Sequence, residues 1–380
     1  MLYGNGVADD TAALQELLDK RGIVTVDRPG TYLVSKTLII RSNTRFVLSP
    51  GVHILAAPMS RCALIENEHF RGGIDENIEI IGGIWDGNCD NMGLDGTYEA
   101  IHREDLPYSP DLFRGKLMRF AHVRGILLER LTVRDPVSYG IQIADAVGFV
   151  TRDIRFDYNC NFGTTDGVHI NGPAYNGVIE NLYGTTNDDM VSLTTTDESH
   201  AEVTVGEIVN VDIRNISAEN GYSGVRLLSV GGFDIRCVRI SGVWGEYRHN
   251  AVLLSHHNMR RGSKIRFDDI TIEHVHASKY PYPLSEDHFT YWEHGTIEKN
   301  PVIWLEGGID AGSIVIRDVI RRERAETGAA LIRIDKGASI ERLVIDNVYQ
   351  TVTAGQAMPP MIVNNGNIGT LIVRDAEQAD

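Results

Sequence analysis

Two short segments, Thr164-Thr165-Asp166-Gly167-Val168-His169-Ile170 and Asn187-Asp188-Asp189-Met190-Val191-Ser192-Leu193, place three carboxylates just ahead of two similar apolar-x-apolar patterns, 23 residues apart. If one turn of a coiled sheet takes that many residues, Asp166 and Asp189 lie one above the other at an inter-strand spacing of about 4.8 Å. Like charges crowded on one patch resist joint ionisation, so their pKa values separate and one residue type supplies both an acid and a base. Hydrolysis of a glycosidic bond with inversion uses such a pair. A protonated carboxyl serves the leaving oxygen and an ionised one deprotonates water, with the two roughly 6.5–9.5 Å apart. Two adjacent acids at the end of one rung should aim differently, Asp188 over the bond and Asp189 beside Asp166. Asp and Asn are also common turn residues, where they satisfy backbone groups. The register of three acids, rather than any one Asp, is therefore what points to chemistry.

The elements that would hold this register recur along the chain. Met118-Arg119-Phe120, Ile141-Gln142-Ile143, Val168-His169-Ile170, Val191-Ser192-Leu193, Val225-Arg226-Leu227, Val252-Leu253-Leu254, Ile303-Trp304-Leu305 and Ile332-Arg333-Ile334 align, the early steps being 23, 27, 23, 34 and 27 residues. Further alternating runs lie between them, including Ile154-Arg155-Phe156, Val211-Asp212-Ile213, Val238-Arg239-Ile240, Ile265-Arg266-Phe267 and Leu343-Val344-Ile345, so each period holds at least two strands. A propeller blade would take about 40 residues. The shorter period predicts an all-β fold, a single-stranded right-handed parallel β-helix, as one domain over residues 1–380. Residues 9–21 read as an amphipathic helix with Leu14, Leu17 and Leu18 on one face, a lid over the open end of the first coil.

The middle residues of the aligned strands face outward together. Arg119, Gln142, His169, Ser192, Arg226 and Trp304 are expected to line a saccharide groove, where Arg, Gln, Ser and His serve hydroxyl groups and Trp serves the apolar face of a sugar. His169 would orient the sugar or tune an acid, and Arg226 would bind it. Segments 93–115 and 279–300 are expected to wall the cleft or to form a contact between copies in a homo-oligomer. His256 is placed at the cleft edge.

Composition limits the partners. A formal charge of −16 over 380 residues disfavours a nucleic-acid partner, which needs a basic stripe. No apolar run reaches the length of a membrane span, and no secretory leader precedes the helix, which reads as cytoplasmic unless the sequence is trimmed from a secreted or virion-associated protein. Cys62, Cys89, Cys160 and Cys237 lack metal-ligand spacing and read as core residues. No metal or cofactor is expected.

The opening Gly4-Asn5-Gly6-Val7-Ala8-Asp9-Asp10-Thr11-Ala12-Ala13-Leu14, the segment Gly83-Ile84-Trp85-Asp86-Gly87-Asn88 and the two acidic rungs together resemble glycoside hydrolase family 28, the polygalacturonase-like enzymes. The resemblance implies a cleft on a right-handed parallel β-helix and inverting hydrolysis, with Asp188 as general acid and Asp166 and Asp189 activating water. It also implies a substrate-binding role for Arg226. The family's Gly-His-Gly segment has no match after the acidic pair. An insertion from Thr194 to Val205 stands there instead, carrying Asp197, Glu198 and His200, and His200 is the candidate replacement. The family's uronate-binding lysine falls on Leu228, which shifts the expected substrate away from polygalacturonate toward a neutral or differently charged plant or microbial glycan. Three alternatives on the same fold stay open. These are a calcium-dependent polysaccharide lyase using the acids as ligands, a non-catalytic glycan-binding tailspike or adhesin, and, more remotely, an epimerase built on Tyr139 and His169.

Overall fold

The computed structural model describes residues 1–94, 113–197, 201–257, 265–281 and 299–379. Among them every strand pairing is parallel, each coil stacking on the next to give a right-handed parallel β-helix. All eight aligned triplets pair in the expected register. Met118 stands beside Ile141, then Val168, Val191, Val225, Val252, Ile303 and Ile332 in turn. The first residue of every triplet is fully buried, forming a continuous apolar column inside the coil.

The other alternating runs belong to separate faces. Val211, Val238, Ile270, Ile314 and Leu343 form one inward column, whereas Ile154 pairs with Leu182 and then Ile216 on another. Each coil therefore carries strand on more than one face besides that of the triplets, in keeping with the at least two strands per period read from the sequence. The chain turns from face to face within single long strands such as Ile141–Asp157, where Asp145 and Asp153 adopt φ of 44° and 57°. A left-handed corner is costly for a residue with a side chain, and Asn or Asp offsets part of that cost by local hydrogen bonding. Here the Asn181 amide donates to Asp153 at 2.8 Å and the Asn215 amide to Asn181 at 2.9 Å, so the corners stack as a ladder.

The capping helix spans Thr11–Leu18, shorter than residues 9–21, and buries Leu14 and Leu18 against the first coils. Its start is organised differently from a simple Asp cap. Asp9 accepts the Thr11 N–H at 2.9 Å, while the buried Asp10 carboxylate turns back to the Tyr3 and Gly4 N–H groups. Of the cysteines only Cys89 and Cys160 are core residues. Cys62 is partly exposed, and Cys237 is exposed because it occupies a left-handed corner with φ of 56°. No helix among the described residues is long and apolar enough to cross a membrane. Most of segments 93–115 and 279–300 lies outside the described residues.

Close approach between coils is what brings the acids together. A Cβ at Gly167 would lie 2.5 Å from the Met190 carbonyl oxygen and 2.9 Å from the Phe156 ring. Gly167→Ala should therefore push the two acidic rungs apart, costing about 1–3 kcal/mol as overpacking does. A thermal melt would show this, and an unchanged Tm would mean that the rungs have slack.

Candidate active site

Counting back from each buried triplet sorts the site into columns. Two residues ahead stand Lys116, Tyr139, Asp166, Asp189, Ser223 and Asn250, and three ahead stand Asp188, Tyr222 and His249. Backbone bonds hold the first column in step, from Gly140 N–H to the Asp166 carbonyl (2.8 Å) and from Gly167 N–H to the Asp189 carbonyl (2.9 Å). As the 23-residue spacing requires, Asp166 and Asp189 are vertical neighbours. Asp188, one residue earlier on a bending chain, takes a different direction. One carboxylate oxygen from each of the three acids lies within 4.8 Å of the other two.

Their surroundings distinguish them. Asp166 is nearly inaccessible, and both its oxygens are engaged. Oδ1 accepts the Asp189 N–H at 3.1 Å, and Oδ2 lies 2.6 Å from His169 Nδ1. Burial first, and the Asp189 carboxylate next, push the Asp166 pKa well above the ordinary carboxylate value. Burial likewise pushes His169 down to about 4. Both shifts act against an Asp166 carboxylate paired with a His169 imidazolium, since charging both here would cost desolvation of each.

Asp189 is also raised by burial, but the Arg226 guanidinium and a Ser223 hydrogen bond act in the opposite direction, with Arg226 Nη1 3.7 Å from Asp189 Oδ2. Asp188 has less of that relief. Burial, then Asp189 and Asp166, hold its carboxyl well above the usual range, with Arg226 a smaller counterweight. It is also the one member of the triad partly open to solvent. The surroundings thus separate a partly exposed carboxyl pushed well above the ordinary range from a buried one whose rise a guanidinium opposes.

The outward ladder is less of a groove than its composition implied. Gln142 is completely buried and donates to Asn171 Oδ1 (2.8 Å) and to the Ala201 carbonyl (3.3 Å). Ser192 is buried with its hydroxyl 3.0 Å from Thr194 Oγ1. Arg119 is committed to Glu66 at 2.6 Å. His169 is buried and stacked on Tyr139, ring centroids 4.2 Å apart. His256, placed at the cleft edge from sequence, is fully buried with Nδ1 on the Ser229 carbonyl, because the chain bends inward after Ser255. Its neighbour His257 is the one that reaches the site, 3.0 Å from Arg226 Nη2. His200 lies outside the described residues. Arg226 and Trp304 retain open surface, and Leu228, standing where a uronate-binding lysine was sought, is buried.

Sequence reasoning passed over Lys116, Tyr222 and His249. Lys116 is buried with Nζ 4.1 Å from the Tyr139 ring centroid, and burial lowers its pKa to about 7. Tyr222 and His249 stack at 4.9 Å with 9° between ring planes, and His249 leads on to Trp304 at 5.9 Å. The available signal was their offset, the same three residues ahead of Val225 and Val252 that Asp188 holds ahead of Val191.

The spacing of the three carboxylates would accommodate a divalent cation by oxygen donors alone. Against that use, the Asp166 oxygens already accept a backbone N–H and face His169, and Asp189 has a guanidinium beside it.

No protein-family model matches the sequence, and no curated protein is similar to it in sequence. Solved structures share the fold. A family 28 exopolygalacturonase from Yersinia enterocolitica superposes with a TM-score of 0.56 at 16% identity, covering 98% of this chain and 76% of that one. A mannuronan C-5 epimerase A-module from Azotobacter vinelandii gives 0.58 at 13% identity, over 100% and 97% of the two chains. A surface protein and adhesin of Streptococcus pneumoniae gives 0.52 at 15%, over 100% and 97%.

Proposed function

We propose that this chain, a parallel β-helix of the polygalacturonase type in fold, hydrolyses a glycosidic bond of an oligo- or polysaccharide, with Asp188 as general acid and Asp189 as the carboxylate that activates water. The observation that carries the reading is the division of labour within the triad. Asp188 is partly exposed and burial with the two neighbouring carboxylates pushes its carboxyl well above the ordinary range, whereas Asp189 sits 3.7 Å from the Arg226 guanidinium. Asp166 with His169 supports Asp189 from the rung beneath by accepting its N–H. Carbohydrate as the substrate class is supported by the exopolygalacturonase and the epimerase that share the fold.

The stereochemical course has two readings. The family resemblance implies inversion, for which a separation of about 6.5–9.5 Å is usual, whereas oxygens within 4.8 Å are closer to the roughly 5–5.5 Å of retaining enzymes. Proton NMR of the first-formed anomer on a panel of neutral and acidic oligosaccharides decides between them. Inversion is expected if water attacks directly, and retention would make Asp189 a nucleophile. The same assays run with EDTA should be unaffected. Loss of cleavage restored by calcium, with an unsaturated product, would move the assignment to a lyase.

A further inference from the structure

We infer that Asp197 sets the charge of the substrate: it meets the cleft as an unpaired carboxylate and selects a sugar that presents hydroxyls, and no acid group, beside the bond that is broken. That bond is the one of the hydrolytic reading, on which this rests, but the placement of Asp197 stands on the fold. Asp197 follows the strand Asp189–Thr196, whose last residue is fixed by the Val230 and Gly231 N–H groups donating to Thr196 Oγ1 at 3.1 Å each. The chain then folds back. The Asp197 N–H donates to Glu202 Oε1 at 2.7 Å, the Ala201 carbonyl accepts from Gln142 at 3.3 Å, and Val203 packs against Phe70, Ala121 and Ala144. The Gly206 N–H returns to the Thr195 carbonyl at 3.2 Å. Residues 201–206 therefore lie across the outward face of the rungs before the acids, and Asp197 stands where their path begins.

The Asp197 carboxylate is felt throughout the site. After burial it is the strongest influence on His169, and it also acts on Arg226, His257, Asp188 and Asp189. Coulomb interactions weaken with distance, so one partly exposed carboxylate that reaches all of these groups stands over the cleft. It lies outside the 4.8 Å cluster of the triad, and among the described residues its oxygens take no hydrogen bond and form no ion pair. The arginines of the outward ladder are already matched. Arg119 pairs with Glu66 at 2.6 Å, Arg226 faces Asp189 at 3.7 Å and Arg333 pairs with Asp335 at 2.9 Å. Leu228, where a cation was sought, is buried and apolar. The carboxylate left unmatched is thus Asp197. A uronate or sulfate beside it meets a like charge, whereas a sugar hydroxyl donates to it.

Calorimetric titration of Asp188→Asn, in which turnover is suppressed, tests this with tetrasaccharides of galacturonate and mannuronate, each as free acid and as methyl ester, and of β-1,4-galactose. A neutral member should bind about tenfold or more tighter than any free acid. Adding Asp197→Asn should narrow the gap between ester and acid to about threefold or less, and adding Asp197→Lys should reverse the order. Free acids binding as tightly as their esters, a gap unchanged by both substitutions, or no binding by any member would each overturn the inference. The placement is read without any sugar. Followed by proton NMR, the His169 ring should titrate at lower pH in Asp197→Asn than in the unmodified protein, because a charge that favours the imidazolium is gone. The other groups acting on that ring, Asp166, Lys116, Asp189 and Arg226, are common to both proteins. An unchanged midpoint would put Asp197 away from the cleft and overturn the inference. Cleavage is read separately with the unmodified protein. Binding as described without any cleavage would remove the hydrolytic reading and support the role of Asp197, whereas cleavage of free acids in preference to their esters would overturn that role and leave hydrolysis standing.

Discussion

Asp188→Asn is expected to reduce glycoside cleavage by a factor of about 10²–10⁴, the usual loss when a positioned general acid is removed, and at the same time to raise the Tm near neutral pH. The two effects share one cause. Burial and two neighbouring carboxylates hold the Asp188 proton on well above the ordinary carboxylate value. A group whose folded pKa is raised contributes stability that is complete below its unfolded pKa and is lost as pH rises through the folded one. At neutral pH the native protein therefore carries either a strained charge or a bound proton that the unfolded chain would release. The amide has neither, so the gain should appear at pH 7 and vanish near pH 3.5. Melting curves at the two pH values check the sign, and a gain independent of pH would mean that the substitution acts through packing.

The pH profile of the unmodified protein follows from the same assignment. Activity should rise through the pKa of Asp189 as the base ionises and fall through that of Asp188 as the acid loses its proton. Both shifts are upward, so the optimum is expected above the range of exposed carboxylates. If the falling limb persisted in a slow but measurable Asp188→Asn protein, it would belong to another group, Lys116 at about 7 being the obvious one.

The architecture was legible because its periodicity is redundant. A one-residue slip at Val191 would turn its neighbours in the column to the wrong face, so eight triplets fix one another's register. The acidic rungs were legible for the same reason. The outward ladder misled because alternation in a strand reports which way a side chain leaves the sheet, not whether something covers it. Gln142 and Ser192 leave outward exactly as Arg226 does, yet they meet Asn171 and Thr194 at hydrogen-bond distance and are buried. His256 and His257 illustrate the limit at a strand end. Adjacent residues there point apart, and only the backbone bend after Ser255, fixed by N–H groups of both histidines on Glu306 Oε2 at 2.9 Å, decides which one reaches Arg226.

Arg226→Met should be as damaging to activity as loss of an acid, by a different route. Arg226 is the side chain that favours ionised Asp189, and it leans on Ser255 Oγ at 3.2 Å, which in turn donates to Glu306 at 2.6 Å. Without the guanidinium, Asp189 remains buried beside Asp166 and Asp188 with no fixed cation within 4 Å among the described residues. Breaking such a buried pair from one side costs about 3–5 kcal/mol when the remaining charge stays ionised. The carboxyl escapes part of that cost by holding its proton, which raises its folded pKa further. Stability should therefore fall more steeply with rising pH than in the unmodified protein, and the rising limb of the activity profile should move upward. Arg226→Lys keeps the charge but loses the fork that spans Asp189 and Ser255, so it should restore the limb while leaving turnover reduced. If melting temperatures of Arg226→Met and the unmodified protein ran parallel from pH 4 to pH 8, Arg226 would be a sugar-binding group alone, and the base would need another source of its charge.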